Sequence, residues 1–196
     1  MTTIVAIKSN DGVVLASDKR ASKGFFVGSK DVQKIYQLDD SLAAAIAGLL
    51  SDAEYLVNLA KAERRLVSIS RGFPMNVRES AKLIANIAYR GLKAYQPFYA
   101  ELLVAGIDGQ GAHIYSTDVS GSLIEEEFAS SGSGSPVAYG VLEGGYIKDL
   151  SLDTAKQLAE RAVRAAMERD PGSGNGVDIL AIPLNGSASK VSKRVN

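Results

Sequence analysis

The first residues of the chain carry its most reactive candidate group. Thr2 follows Met1 directly, and removal of that methionine would place a hydroxyl and a free α-amine on one residue. A threonine hydroxyl needs a base to take its proton, and an N-terminal amine titrates at about 7.7–8.0, near working pH. Such a pair is a known form of activated nucleophile. The alternative is structural, because β-branched threonine suits the beginning of a strand.

The composition gives little support to other nucleophiles or to metals. The 196 residues include no cysteine, which excludes disulfides, thiolate nucleophiles and cysteine-ligated metals. The single histidine, His113, stands in GAHIYSTD, a predicted strand. A Ser-His-Asp triad or a two-histidine zinc site would need that residue or more than one histidine. We therefore expect no metal and no cofactor, and a general base other than histidine.

Length and charge limit the partners and the location. A chain of 196 residues fits one domain, and its 46% hydrophobic content allows a sizeable core. The 22 basic and 22 acidic residues balance, which disfavours binding to nucleic acid or to an anionic membrane. No apolar run approaches the roughly 20 residues that span a bilayer, and no signal-peptide pattern is present. The expectation is a cytoplasmic protein with one domain over residues 1–196.

Short apolar runs between turn residues predict strands. Asn10-Asp11-Gly12, Lys23-Gly24 and Asp39-Asp40 are typical of hairpin turns, and Asp108-Gly109 is a further turn. The predicted strands cover residues 4–7, 13–16, 35–38, 42–47, 102–107, 113–116, 123–128 and 177–182.

Apolar residues at helical spacing predict two pairs of helices. The first pair follows Ser51-Asp52, and its second helix begins with a capping-box pattern, Asn76 with Glu79 three residues later. The second pair consists of a short helix at about residues 135–142 and a longer one with an apolar stripe over 158–167.

The order of these blocks predicts the fold class. Strands, two helices, strands, two helices and a last strand indicate an α+β fold with mainly antiparallel sheets. Two helix pairs and two blocks of strands fit a four-layer αββα sandwich, in which helices cover both sheets. After Pro183 the sequence becomes polar and basic, SASKVSKRVN, which predicts an exposed, mobile tail over about residues 184–196.

Five motifs resemble those of one family, in the order and spacing of that family. They are TTIV…DGVVLASDKR, KIYQL, AGLLSDAEYL, ASSGSGSPVAYGVLE and RDPGSGNGVDI, and the similarity covers residues 2 to about 183. The chain resembles proteasome β subunits of the archaeal type. The resemblance implies the N-terminal nucleophile hydrolase fold, which is an αββα sandwich. It also implies a threonine endopeptidase that hydrolyses unfolded polypeptides through an acyl-enzyme on Thr2, once Met1 is removed.

The resemblance implies roles for residues that also have ordinary explanations. Asp18 and Lys34 would lie beside Thr2, where the charge of Lys34 would lower the pKa values of the hydroxyl and the amine. Without the resemblance, both residues are typical surface charges. Gly48 would present its backbone N–H to the developing oxyanion, although glycine also suits a turn from strand to helix.

Three further residues would complete the active site by resemblance. Ser133, in SSGSGSP, would lie near the amine of Thr2, and Asp170 and Ser173, in RDPGSGNG, would support the hydrogen bonds around it. From composition alone, SSGSGS is a flexible linker or a phosphate-binding loop, and it lacks the lysine of a P-loop. RDPGSGNG alone fits the end of a helix, because proline and glycine interrupt helices.

The resemblance also predicts the substrate and the partners. The chain would occupy a seven-membered β ring between rings of α subunits, and an ATPase would deliver unfolded polypeptides. Four apolar residues match the family's specificity pocket and favour cleavage after hydrophobic residues, although a generic strand core would look the same: Ala21, Val32, Ile46 and Leu50.

Two alternatives stay open. The first is a catalytically silent, structural β subunit of the same ring, because a retained Met1 would leave the nitrogen of Thr2 as an amide. The second is the bacterial threonine peptidase of two stacked rings, whose opening also resembles TTIV. If the chain is an active threonine peptidase, Met1 must therefore be removed, either by an aminopeptidase or by the chain itself, and this removal is the activation step.

Overall fold

The structure, a computed structural model, describes residues 1–194. Strands and helices occur in blocks, as predicted. The first block of strands is β1 (Ile4–Ser9), β2 (Gly12–Asp18), β3 (Ala21–Lys23), β4 (Phe26–Ser29), β5 (Ile35–Asp39) and β6 (Leu42–Gly48). It is followed by α1 (Leu50–Arg71), α2 (Val77–Lys93), β7 (Ala100–Asp108), β8 (Gly111–Thr117), β9 (Ile124–Glu125) and β10 (Phe128–Ser131). The last elements are α3 (Ser135–Gly145), α4 (Leu152–Met167), β11 (Gly176–Pro183) and β12 (Ser189–Arg194).

Two antiparallel sheets form the centre of the molecule. The first sheet has the order β10-β1-β2-β11-β12, and the second has the order β5-β6-β7-β8-β9. Their facing sides share one apolar core, to which each sheet contributes fully buried residues such as Ile4 and Ile114. Residues of α3 and α4 pack on the outer face of the first sheet, and residues of α1 and α2 pack on that of the second. The predicted α+β sandwich is confirmed.

Local sequence signals explain where the covering helices begin. The side chain of Asn76 accepts a hydrogen bond from the N–H of Glu79, whose carboxylate accepts one from the N–H of Asn76, so the predicted capping box forms at the start of α2. Ser151 caps α4 in a similar way through the N–H of Thr154. None of the helices formed by residues 1–194 is long and apolar enough to cross a membrane.

The strand predicted over 123–128 is wrong as a single element. The structure divides it into β9, which pairs with β8 in the second sheet, and β10, which pairs with β1 in the first. The N–H of Glu126 still bonds to Ile114 of β8, while the carbonyl of Glu127 accepts from Lys8 of β1. The chain therefore changes sheets within one extended run, which a pattern of apolar residues does not reveal.

The polar C-terminal segment also differs from the prediction. Residues 189–194 form β12, which pairs along its whole length with β11 at the edge of the first sheet. Its side chains are exposed, as predicted, but its backbone is not a free tail. Residues 195–196 lie outside the described part of the chain. Exposed polar and basic side chains suit an edge strand because they discourage pairing with other chains.

Candidate active site

The register of the first sheet positions Thr2. β1 begins at Ile4 and lies between β2 and β10, so that Ile4 is paired with Ser17 on one side and with Ser131 on the other. Both neighbours run antiparallel to β1, and their C-terminal ends therefore lie beside the start of the chain. Thr2 is buried there, among the residues that follow β2 and β10.

Asp18 and Lys34 form a buried ion pair at the end of β2. The Nζ of Lys34 lies 2.7 Å from Oδ1 of Asp18, which also accepts the N–H of Thr3 at 3.0 Å. The other carboxylate oxygen accepts the N–H groups of Arg20 at 2.9 Å and Gly174 at 3.0 Å. Four donors therefore compensate for the burial of this carboxylate, as a buried charge requires.

The environment of Lys34 affects its proton affinity. Burial lowers the pKa of Lys34, and although the charge of Asp18 and its hydrogen bond act in the opposite direction, the net pKa is lowered. Lys34 and Thr2 line the same cleft. An ammonium with a lowered pKa gives up a proton more readily than a surface lysine, which suits a group that relays protons.

A second group of hydrogen bonds surrounds the nitrogen of Thr2. This N–H donates to Oγ of Ser133 at 3.0 Å, and Ser133 donates in turn to Oδ2 of Asp170 at 2.7 Å. Ser173 also donates to Oδ2 of Asp170 at 2.7 Å. The hydroxyl of Thr3 lies 2.7 Å from that of Ser173 and extends the network to the next residue of the chain.

The charge of Asp170 fixes the direction of these hydrogen bonds. Burial alone would raise the pKa of Asp170, but the hydroxyls of Ser173 and Ser133 and the N–H of Gly172 outweigh that effect and hold the pKa below its usual value. The ionised carboxylate can only accept, so the proton of Ser133 points towards Asp170. A lone pair of Ser133 consequently faces the nitrogen of Thr2.

Met1 occupies the site in the described chain. The hydroxyl of Thr2 donates to the carbonyl oxygen of Met1 at 2.6 Å. The side chain of Met1 lies against Gly172 so closely that a Cβ on that glycine would collide with it. Because the nitrogen of Thr2 is an amide here, it has no basic lone pair. The geometry is therefore that of a chain that keeps its first residue.

Gly48 adopts a conformation that requires glycine. Its φ is +104°, a value that L side chains rarely adopt, and a Cβ would collide with the carbonyl oxygen of Tyr99. Gly48 ends β6 and lies beside Thr2 where two clefts meet. Gly48 thus lines both clefts next to Thr2.

The two clefts meet at Thr2 and Gly48, which line both of them. The second cleft, of about 490 Å³, is lined by Tyr99, Glu101 and Ser133 among others. The first cleft, of about 150 Å³, includes all four residues that the sequence assigned to a specificity pocket: Ala21, Val32, Ile46 and Leu50. The structure therefore brings together every residue that the resemblance places in the site.

Thr3 and Glu101 were not assigned to the site from the sequence, whereas Arg20 matches the basic neighbour of the family's acidic position. Thr3 links the two hydrogen-bond networks, and Glu101 contributes the charge of the second cleft. Arg20 holds the loop after α4 through the carbonyl of Pro171 at 2.8 Å and the side chain of Asn175 at 2.9 Å. The second of two adjacent threonines was a usable signal for Thr3, whereas nothing in the sequence distinguishes Glu101 from other acidic residues.

His113 lies outside both clefts. Its Nδ1 is 2.8 Å from a carboxylate oxygen of Glu125 on the neighbouring strand, and its ring stacks on Tyr115. Within residues 1–194, no group of three or more His, Asp or Glu side chains is arranged to hold a metal ion.

A sandwich of two sheets between helices, with a threonine enclosed at the start of a central strand, is the fold of the N-terminal nucleophile hydrolases. The family model described as proteasome subunit matches residues 1–182 of this chain. The chain belongs to the proteasome family. It is therefore a subunit of a protease that assembles from related subunits.

The similar proteins agree with this assignment. Proteasome subunit beta 1 of Hyperthermus butylicus is 46% identical over 181 residues, which are 92% of this chain and 88% of that protein. Proteasome subunit beta of Methanothrix thermoacetophila is 44% identical over 92% of this chain and 87% of its own length. Proteasome subunit beta 2 of Thermofilum pendens is 42% identical over 96% and 91%. The relatives that this chain resembles are thus β subunits of the proteasome core.

Proposed function

We propose that the chain is a threonine endopeptidase whose nucleophile is the hydroxyl of Thr2 after removal of Met1. The observation that carries this proposal is the enclosure of one residue by two networks. The nitrogen of Thr2 contacts Ser133 at 3.0 Å, which is bonded to Asp170, and Lys34, paired with the buried Asp18, lines the same cleft as Thr2. A strand start without a chemical role needs neither network.

The proposed reaction begins with proton transfer from the hydroxyl of Thr2 to its own free amine. The oxygen attacks the carbonyl carbon of the peptide bond, and the backbone N–H of Gly48 stabilises the oxyanion, a contribution of about 3–4 kcal/mol for one such donor. The ammonium then protonates the departing amine as the C–N bond breaks. The amine of Thr2 then takes a proton from water, whose oxygen attacks the carbonyl carbon of the ester. The bond between that carbon and the oxygen of Thr2 breaks, the ammonium returns its proton to this oxygen, and the carboxylic acid product leaves.

The buried groups around Thr2 would tune this chemistry. The positive charge of Lys34 favours the alkoxide of Thr2, and the lowered pKa of this lysine suits proton exchange with the hydroxyl. Ser133, whose own proton is held by Asp170, accepts a hydrogen bond from the amine and orients it. Ser173 supports Asp170 from the opposite side.

The first cleft favours a hydrophobic residue before the cleaved bond. Ile46 and Val32 line it beside Thr2, together with Ala21 and Leu50. An apolar side chain bound there gains about 25 cal/mol for each Å² of apolar surface removed from water. Acidic side chains would lose hydration against the same apolar surface, and we therefore propose that they are disfavoured.

The assembly that we propose follows the β-subunit relatives. The chain, as one domain, would form a seven-membered ring between α-subunit rings, in the cytoplasm, and would receive unfolded polypeptides from an ATPase. Enclosure in such a chamber would restrict cleavage to chains that are threaded into it. This arrangement removes the need for a highly selective substrate pocket.

Mass spectrometry of the assembled particle tests the proposal. The particle, produced with α subunits, is measured intact before and after incubation with a peptide epoxyketone, which reacts with a hydroxyl and an amine on the same residue. We expect loss of Met1 and one adduct on Thr2. Thr2→Ala should give no adduct, and Thr2→Ser, which keeps both groups, should retain it. A retained Met1 without an adduct would contradict the peptidase proposal.

One observation favours a second candidate, a structural subunit without activity. The carbonyl of Met1 accepts the hydroxyl of Thr2, and Met1 lines both clefts, so the described form is blocked. A chain that keeps Met1 in the particle would fill a ring position and cleave nothing. The same mass measurement distinguishes the two candidates.

A further inference from the structure

The side from which the leaving group departs follows from the position of the Thr2 nitrogen. In the proposed reaction this nitrogen protonates the departing amine, and it faces Ser133 at 3.0 Å. The residue after the cleaved bond must therefore lie on the Ser133 side of Thr2. Ser133 lines the second cleft and not the first. The second cleft is consequently the place for the residue that follows the cleaved bond.

The second cleft differs from the first in charge. Glu101 is exposed and lines it, and apart from the N-terminal amine no cationic group does so among the described residues. One carboxylate oxygen of Glu101 accepts a hydrogen bond from Ser131, and no salt bridge within residues 1–194 neutralises its charge. The first cleft is lined mainly by apolar residues, and of its two cationic side chains, Arg20 and Lys34, the latter is paired with Asp18. The carboxylate of Glu101 thus distinguishes the second cleft from the first.

An aromatic ring lies beside Glu101 in this cleft. Tyr99, the residue directly before β7, also lines it and is 58% exposed. Tyr99 and Glu101 are thus two residues apart in the chain and line the same cleft. A flat aromatic surface next to a carboxylate suits the alkyl stem and the charged end of a lysine or arginine.

We propose that Glu101 selects substrates with Lys or Arg directly after the bond that is cleaved. The proposal rests on the peptidase function of Thr2 and adds a preference on the leaving side. Tyr99 packs against the stem of the basic side chain while Glu101 pairs with its charge. An exposed ion pair between Glu101 and a substrate Lys is weak, but Glu101 also repels a substrate Glu after the cleaved bond. The expected preference for a Lys peptide over a Glu peptide is therefore about tenfold in kcat/KM.

The structural role of Glu101 can be separated from its charge. Its hydrogen bond with Ser131 fixes the end of β10 near Thr2. Removal of the whole Glu101 side chain would therefore disturb the hydrogen bond and the end of this strand as well as the charge. Glu101→Gln keeps an oxygen for this hydrogen bond and removes only the charge. Glu143→Gln removes the same charge from an exposed position on α3 and lines neither cleft, which makes it the matched control.

The test uses the assembled, processed particle and internally quenched peptides. The peptides share Leu before the cleaved bond and differ only after it, with Lys, Arg, Gln or Glu. A coumarin amide of the same Leu peptide has no residue on the leaving side and measures the peptidase itself. We expect the wild type to prefer Lys and Arg, Glu101→Gln to lose that preference, and Glu143→Gln to keep it. Salt should weaken the preference, since the pair is exposed.

The outcomes separate this proposal from the function on which it rests. Equal rates on the Lys and Glu peptides, in a particle that cleaves the coumarin amide, would overturn the role of Glu101 and leave the peptidase intact. An unchanged preference in Glu101→Gln would do the same. A particle that cleaves neither the peptides nor the amide, and forms no epoxyketone adduct, would overturn both.

Discussion

The Nζ of Lys34 lies 2.7 Å from Oδ1 of Asp18, and the two residues are only 4% and 0% exposed. Removal of one member of a buried ion pair leaves the other charge without a partner, which costs about 3–5 kcal/mol. Asp18→Ala should therefore lower the free energy of unfolding by that amount, measured by urea denaturation of the isolated subunit.

A double substitution separates the structural part of this pair from its chemical part. Asp18→Ala with Lys34→Met removes both charges, and we expect it to recover only the part of the lost stability that comes from the unpaired ammonium, because the N–H groups of Thr3, Arg20 and Gly174 still lack their acceptor. Peptidase activity should be lost in Asp18→Ala and should not return in the double variant. Recovery of both stability and activity would contradict a role for the pair in the reaction.

Gly48→Ala should damage both the fold and the activity. The φ of +104° and the collision of a Cβ with Tyr99 predict a loss of about 2 kcal/mol in the free energy of unfolding. Gly140, inside α3, has open space around its Cα, so Gly140→Ala should be neutral or slightly stabilising. Thermal denaturation of the two variants gives the comparison, and an equal effect at both positions would refute the requirement for glycine at Gly48.

The stability of the chain should depend on pH through Asp170. Its pKa is lower in the folded state than in the unfolded chain, so its stabilising contribution is present above the unfolded value, about 3.9, and is lost as pH falls through the folded value. Ser173→Ala removes one donor, raises this folded pKa and should reduce stability at pH 7. The difference between Ser173→Ala and wild type should shrink in acid, as urea titrations at pH 7 and at pH 3 would reveal. A constant difference would contradict this linkage.

His113→Gln should leave peptidase activity and its pH profile unchanged. The histidine pairs with Glu125 on the second sheet and lines neither cleft at Thr2. A pH profile of kcat/KM in the variant tests this expectation directly. Loss of a limb of that profile would mean that the histidine titrates with the reaction.

Much of the fold could be predicted from local signals. The turns at Asn10-Asp11-Gly12 and Asp39-Asp40 and the capping box at Asn76 act over a few residues, and the structure contains each of them. The crossing between β9 and β10 and the pairing of β12 with β11 were not predicted, because they depend on which distant strand supplies the hydrogen bonds. Period and polarity determine the side-chain environment of a strand and not its partner.

The candidate site could be predicted only in part. The pairing of a hydroxyl with an amine on Thr2 follows from one residue, whereas burial of Asp18 and Lys34 does not, since both types are usually exposed. The resemblance to proteasome β subunits predicted that Asp18 and Lys34 lie beside Thr2, and their roles stay predictions. Glu101 was missed because its importance depends on a cleft formed by residues from five parts of the chain.

The hydrogen bonds of Thr2 and Thr3 also have a consequence for the order of folding. Their partners Ser133 and Ser173 follow 131 and 170 residues later, and Asp18 contacts Gly174 across 156 residues. During synthesis, the start of the chain leaves the ribosome long before these partners exist, and contacts so distant form slowly. A chain that stops before α4 consequently lacks Asp170 and Ser173, and with them the second hydrogen-bond network at Thr2 and Thr3.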